Sequence, residues 1–313
     1  LAALLSPLVK AATRNAPSPL VCVSAPSAGS GKTKLTQLIA RIVTGTDAEV
    51  RPYNPKDPAE WGKRITAFVR AAAPVSVFDN VNGPFGDETI DRLITASTWS
   101  DRILGVSEAP PIPNVCTWLA TGNNIEPIGD TVRRVLVCRI EVDDERPQER
   151  SGFRYDPIED YVLDHRAELL SAALTILRAY HVAKRPPQPL PTWGSFTAWS
   201  EIVRAALVWT GEADPFLTQR RAAATMNETE NEAHDFWIGV IENVAGESSM
   251  SIVTLANQRD ARSVLGLRED ITTYTLRRFV SRFVDKPRGG KRIRRDVDQK
   301  THTPTYYVET IGK

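Results

Sequence analysis

The stretch APSAGSGKTKL (residues 25–35) follows a compact apolar run, PLVCVSA (19–25), and leads into KTKLTQLIARIVTG (32–45), whose apolar residues fall at helical spacing. A phosphate loop needs backbone N–H groups facing inward, a lysine that reaches the terminal phosphates and a hydroxyl for Mg²⁺, all at the start of a helix. Gly29, Ser30, Gly31, Lys32 and Thr33 meet that requirement between a strand and a helix. Pro26 stands where the full pattern has its first glycine. That glycine serves mainly the sharp exit from the strand, whereas the inner glycines let phosphate approach the backbone, so the core of the loop is intact. A Gly/Ser turn with a chance Lys-Thr pair is the plain alternative, and the flanking strand and helix count against it.

A nucleotide site also needs a carboxylate for the metal ion, normally at the end of a second buried strand, and PVSVFDNV (74–81) supplies Asp79. Asn80 follows, where many ATP-hydrolysing proteins carry a glutamate that activates water; an amide does not take up a proton usefully. Either Asn80 merely orients water, or Asp87 or Glu88 supplies the base, or hydrolysis is slow. A third strand ends in LATGNN, with Asn123 and Asn124 at its tip, and a fourth begins with Arg133 and Arg134. Side chains at the ends of neighbouring strands of an open α/β sheet converge on one crevice. Asparagine there can position water against a terminal phosphate, and an arginine can reach a neighbouring subunit's nucleotide. Surface salt bridges are the alternative for the two arginines.

The 313 residues are 42% apolar and 25% charged, with no apolar run long enough to span a bilayer and no signal-peptide pattern, which places the chain among globular cytoplasmic proteins. Cys22, Cys116 and Cys138 sit in apolar runs without metal-type spacing and are expected to be buried, reduced thiols. The chain starts at Leu1 and is expected to be a piece of a longer polypeptide. Strands and helices alternate through the first half, with Asp57 as the N-cap of a helix over 57–73 and Pro58 in its first turn. DRILGVSE (101–108) and VCTWLATGNN (115–124) are two extended runs separated by APPIPN, a hairpin-like turn. From Asp156 the texture is helical, and the Pro-rich KRPPQPLPTWG (184–194) reads as a hinge or domain boundary.

With these residues assembled, the chain resembles the AAA+ ATPases, and within them the helicase parts of phage, plasmid and mobile-element replication proteins. The resemblance rests on APSAGSGKT, VSVFDNVNG, TASTWSDRILG, TWLATGNN and GDTVRRVLVCRIEV, in that order, over roughly residues 1–185. It implies an α/β fold with a P-loop parallel sheet flanked by helices. Carried over, Lys32 and Thr33 correspond to the Walker A contacts to ATP and Mg²⁺, Asp79 to the Walker B carboxylate, Asn123 or Asn124 to sensor 1, and Arg133 or Arg134 to the arginine finger. Such ATPases act as rings, commonly hexamers, and often follow a primase region in one polypeptide. Helicases of this kind present a hairpin before sensor 1 to DNA; here GVSEAPPIPNVC (105–116) has no lysine, arginine or histidine, and Arg102 beside it is a candidate contact, with a bridge between subunits through Asp101 or another acid as the equal alternative.

Residues 276–300 hold ten Lys or Arg against three Asp, a local charge of +7 in a chain of net charge +1. TTYTLRRFVSRFV (272–284) reads as a helix with an apolar face and Arg277, Arg278 and Arg282 mostly off it, followed by a Gly-Gly turn and two strands. This tail resembles a winged-helix DNA-binding domain, with Lys291, Arg292, Arg294 and Arg295 as phosphate contacts from the wing. A solvated basic face is the alternative. The expected division is an ATPase domain over 1–185, a helical linker over 186–247 and the winged helix over 248–313.

Overall fold

The structure is a computed structural model and describes residues 1–100, 111–142, 146–245, 250–251, 277, 280–301 and 303–311. Five parallel strands, β1 (Leu20–Ala25), β2 (Glu49–Pro52), β3 (Val75–Phe85), β6 (Thr117–Pro127) and β7 (Val135–Arg139), form one sheet in the order β2-β3-β6-β1-β7. All six residues of β1 are buried, as a central strand covered on both faces requires, and this is why its sequence runs apolar without alternation. The α/β expectation of a parallel sheet flanked by helices agrees with this architecture. β6 lies between β1 and β3, so the strand that leads into the phosphate loop and the strand that carries Asp79 are not neighbours. Phe78 stacks on Trp118 across β3 and β6, with ring centroids 5.4 Å apart.

α1 (Ala2–Val9) packs on α2 (Lys32–Thr44), and α3 (Pro58–Arg70) packs on α4 (Glu88–Thr95). Asp57 caps α3 as expected, its carboxylate accepting from Ala59 N at 3.0 Å and Glu60 N at 3.2 Å, with Pro58 in the first turn. Two short strands, β4 (Thr98–Trp99) and β5 (Ile112–Pro113), pair antiparallel, so that β5 falls inside APPIPN, which the sequence reads as the turn of a hairpin, and VCTWLATGNN enters the central sheet instead. The rest of that hairpin, Asp101 and Arg102 included, lies outside the described residues. α5 (Ile158–Asp164) and α6 (Arg166–Val182) follow, then a helical stretch over 197–209 whose turn Ser200–Arg204 is a π-helix, and a long helix, Phe216–Ala245.

The boundary between compact units falls between Ala223 and Ala224, later than the expected boundary near residue 185. The physical reason is aromatic. Trp193, Phe196, Trp199, Val203 and Leu207 belong to the same core cluster as the sheet. Trp193 donates its indole N–H to the Arg133 carbonyl at 2.8 Å, and Trp199 donates to the Ser6 hydroxyl at 2.8 Å. The Pro-rich stretch is therefore not a hinge. Arg204, fully buried, donates to both carboxylate oxygens of Asp214 at 2.7 and 2.6 Å and to the Pro191 carbonyl at 2.7 Å, which fixes the stretch to the helix beside it. Burial alone would raise the Asp214 carboxyl, but the bonds from Arg204 and from Phe216 N hold it below the usual range.

One cysteine departs from expectation. Cys22 and Cys116 are buried, but Cys138 is exposed because β7 is an edge strand. In the second unit, β8 (Met250–Ser251), β9 (Pro287–Arg288), β10 (Lys291–Val297) and β11 (Pro304–Thr310) form an antiparallel sheet in the order β8-β11-β10-β9. Gly289 and Gly290, both at positive φ, make the expected tight turn between β9 and β10. A small core gathers Trp237, Ile238 and Ile241 with Val280, Phe283, Ile293 and Tyr306. Residues 252–276, on which the winged-helix expectation also depends, lie outside the described residues. Because Arg204 is an ion with no access to water, Asp214→Ala is expected to lower stability by about 3 to 5 kcal/mol in urea unfolding, the cost of leaving a buried charge unpaired.

Candidate phosphate and metal site

After β1 the chain bends at Pro26, and Gly29 and Gly31 adopt φ values of 72° and 85°. L-residues with a side chain rarely adopt these values, which explains glycine at both positions. Gly31 is the N-cap of α2 and has no side chain to satisfy the first N–H groups of a 13-residue helix, so they remain available to an anion. Gly29 has a second reason to be glycine: a Cβ there would lie 2.8 Å from Gln148 Cβ, in the 3₁₀ turn Pro147–Glu149 that packs over the loop. Lys32, 8% exposed, folds back to donate to the Ser27 carbonyl at 2.7 Å and the Ser30 hydroxyl at 2.8 Å. Burial lowers the pKa of its ammonium, against the attraction of Asp79.

Asp79 reaches this loop through a bulge. Phe78 pairs with Ala120 and Val81 with Gly122, so the two residues Asp79 and Asn80 oppose the single residue Thr121. Bulges of this kind re-aim a side chain, and Asn80 takes up the irregularity at φ 57°. The backbone then comes so close that a Cβ on Gly122 would fall 1.8 Å from the Val81 carbonyl oxygen. The Asp79 Oδ1 accepts the Thr33 hydroxyl at 3.1 Å and also the hydroxyl of Thr121, which is buried in β6. Sequence reading missed Thr121 and Gly122. Both lie inside the quoted LATGNN, but only the bulge reveals what they face.

A hard cation fits this donor set: one carboxylate and one hydroxyl, with helix N–H groups and a lysine arranged for phosphate beside them. Among the described residues no group of three or more His, Cys, Asp or Glu could hold a metal ion alone. Mg²⁺ is commonly bound in just this way, through one or two protein oxygens together with phosphate and water.

Asn123 pairs in register with Ala25 on β1 and with Asn82 on β3, which places it at the carboxyl end of the sheet next to the loop. Asn124, at φ 46°, is exposed. Arg133 and Arg134 lie in the 3₁₀ turn Gly129–Arg134 rather than at the start of a strand. Their environments separate them. Arg134 is largely enclosed and bonds to Asp91 at 3.0 Å and Asp130 at 3.2 Å, whereas the Arg133 side chain is 63% exposed and bonds to Asp130 at 2.7 Å. Asp87 is already committed: it accepts from Thr89 N at 2.8 Å, Ile90 N at 3.0 Å, Trp61 Nε1 at 3.2 Å and the Tyr53 hydroxyl at 3.5 Å. These bonds make it the N-cap of α4 and an anchor for two aromatic rings, not a base. Glu88 is exposed in the first turn of α4.

In the second unit most of the basic side chains on the strands carry acidic partners. Lys291 meets Glu242 at 2.7 Å, Arg292 meets Glu309 at 3.3 Å, and Arg294 meets Asp285 at 2.6 Å and Glu309 at 2.7 Å. Arg288, not singled out from the sequence, meets Asp235 at 2.8 Å. Arg295 is exposed, Arg277 is half-buried, Arg282 is exposed and engaged with a neighbour, and Arg278 lies outside the described residues. A cavity of about 420 Å³ lined by Tyr180, Leu190, Trp193 and Ser200 shares no residue with the phosphate loop.

No family model and no curated protein matches the chain. Among solved structures, it is similar to the A form apo structure of the NrS-1 C terminal region, at 13% identity and a TM-score of 0.42, covering 99% of this chain and 70% of that one. A second structure, the same form of the NrS-1 C terminal region over residues 305–718, is similar at 11% identity and a TM-score of 0.44, with the same coverage. The five-stranded parallel sheet and its flanking helices fit a P-loop-like fold. Among the described residues no helix is long and apolar enough to cross a membrane.

Two variants test this architecture. Asp87→Ala is expected to lower stability by about 2 kcal/mol in denaturant titration, through the lost cap and indole bond. Gly122→Ala, which drives a methyl group into a backbone carbonyl, is expected to cost about 3 kcal/mol or more by the same measurement.

Proposed function

We propose that the chain is the motor of a replicative DNA helicase of a phage or mobile element, an ATP hydrolase that works as a ring, commonly a hexamer, in the cytoplasm. The observation that carries this reading is the meeting of Lys32 and Thr33, from the loop after β1, with Asp79, from the bulge of β3, at one end of a parallel sheet. In this reading Gly29, Ser30, Gly31 and the first turn of α2 cradle the phosphates of ATP, and Lys32 exchanges its bonds to Ser27 and Ser30 for phosphate oxygens. Mg²⁺, held through Thr33 and Asp79, would supply neutralisation of charge on the phosphates. Asn123 or Asn124 orients the attacking water. Arg133, the more exposed of the pair, is the finger offered to a neighbouring protomer, and Arg134 braces its turn through Asp91 and Asp130.

The basic strands β9 and β10 would serve DNA as the wing of a winged helix, with phosphates replacing the carboxylates on Lys291, Arg292 and Arg294 and with Arg295, Arg277, Arg278 and Arg282 adding charge. Exposed ion pairs are weak enough for such an exchange. A primase region upstream in the full polypeptide suits this role. A second reading, an ATP-gated origin-binding initiator or helicase loader, draws on the site itself: Asn80 stands at the base position and Asp87 is fully bonded elsewhere, which suits slow turnover.

Lys32→Ala is expected to reduce ATPase activity with single-stranded DNA by about 100-fold or more; unchanged activity would sink the site assignment. Arg133→Ala is expected to keep ATP binding and lose turnover, and mixing it with Lys32→Ala should restore part of the activity only if the arginine acts across an interface. Unwinding of a forked duplex with ATP supports the motor, whereas sequence-specific duplex binding without unwinding supports the initiator.

A further inference from the structure

We propose that Thr121 is a positioning residue for the metal ion: its buried hydroxyl holds the Asp79 carboxylate in the orientation from which, with Thr33, it engages Mg²⁺. This rests on the nucleotide-site reading above and adds a residue to it. Three observations converge on Thr121. It is the one residue of β6 that faces the two-residue bulge Asp79–Asn80. It is 1% exposed, so its hydroxyl does not have water as a ready partner, and it donates to Asp79 Oδ1. Finally, Gly122 beside it has no Cβ, which is what lets β3 and β6 approach closely enough for the bond to form.

The chemistry favours this arrangement. The bulge, with Asn80 at φ 57°, aims the Asp79 carboxylate away from the direction a regular strand would give it. Two hydroxyl donors on the same oxygen, Thr33 from the loop and Thr121 from the sheet, fix the Oδ1 side and leave Oδ2 for further ligands. Thr33 stands in the first turn of α2, beside the place the phosphates would occupy, whereas Thr121 is buried in the central sheet. Thr121 therefore sets where Asp79 stands before any nucleotide arrives. Partners of metal-ligating carboxylates typically alter metal affinity by about 10- to 100-fold when removed.

The test uses the whole chain, a fluorescent non-hydrolysable ATP analogue, and titration with MgCl₂, with a parallel binding curve in EDTA. Thr121→Val keeps the shape and removes the hydroxyl. It is expected to raise the Mg²⁺ concentration for half-maximal tight binding by about tenfold or more, with affinity in EDTA changed less than about twofold. Thr121→Ser, which keeps the hydroxyl, is expected to stay within about threefold of wild type. A Mg²⁺ dependence of Thr121→Val equal to wild type overturns the proposal, as does a loss of the same size in EDTA, which would mark a general packing defect. If Thr121→Val does not fold, Thr121→Cys against Thr121→Ser gives the same comparison with a much weaker donor. Failure of the wild type to bind the analogue at all, with or without Mg²⁺, overturns the nucleotide-site reading itself.

Discussion

β6 runs between the strand that enters the phosphate loop and the strand that carries Asp79, and the geometry of the site follows from that placement. Were β1 and β3 neighbours, regular pairing would set the spacing of Lys32, Thr33 and Asp79. With a strand between them, the gap must be closed by other means. The bulge at Asp79–Asn80 turns the carboxylate toward β6, Thr121 receives it, and Gly122 gives up its side chain so that the backbone of β3 can come close. Farther along the same pair a second irregularity between Asn82 and Pro84 accompanies the left-handed Asn124, so both polar tips of the site sit where the ladder is broken. Bulges cluster next to functional sites because they aim side chains that regular strands cannot.

The helical part after the sheet contributes in a different way. Two tryptophans and one arginine tie residues 191–214 into the first unit: Trp193 to the carbonyl of Arg133, Trp199 to Ser6 of α1, and Arg204 to Asp214 and Pro191. The acceptor of the Trp193 bond is the backbone of the turn that carries Arg133. Asp91 of α4 holds the same turn through Arg134 at 3.0 Å, and Asp130, inside the turn, bonds Arg134 at 3.2 Å. A guanidinium on a turn held in this way has less freedom to lose on binding a ligand than one on a free loop.

Charge in the second unit illustrates the limit of counting along a chain. A window of 25 residues with ten cations and three anions reads as an open basic face. Folding brings Asp235, Glu242 and Glu309 from outside the window onto Arg288, Lys291, Arg292 and Arg294, and Asp285 from within it. Since β10 and β11 pair antiparallel, Glu309 lies directly opposite Arg292, a neighbour that no window centred on the basic run contains. A polyanion approaching this sheet therefore meets a surface of exchangeable ion pairs rather than a row of bare cations.

The sequence by itself determined the elements and the residues that meet at the candidate site. Unbroken apolar runs mark β1 and β3 as buried strands, glycines at 29 and 31 mark the loop, Asp57 marks the start of α3, and Lys32, Thr33 and Asp79 are legible because phosphate and metal chemistry demands those residue types at strand and helix ends. These are local constraints, and local constraints are written in contiguous residues. Tertiary structure alone decided the rest. What the Asp87 carboxylate bonds to, whether Arg133 or Arg134 is open, whether the Pro-rich stretch is loose or fastened, and what Thr121 faces all depend on residues 13 to 60 positions away. A hydroxyl inside a strand carries no mark of its partner. Only the register of the neighbouring strand, shifted by one bulge, gives it one.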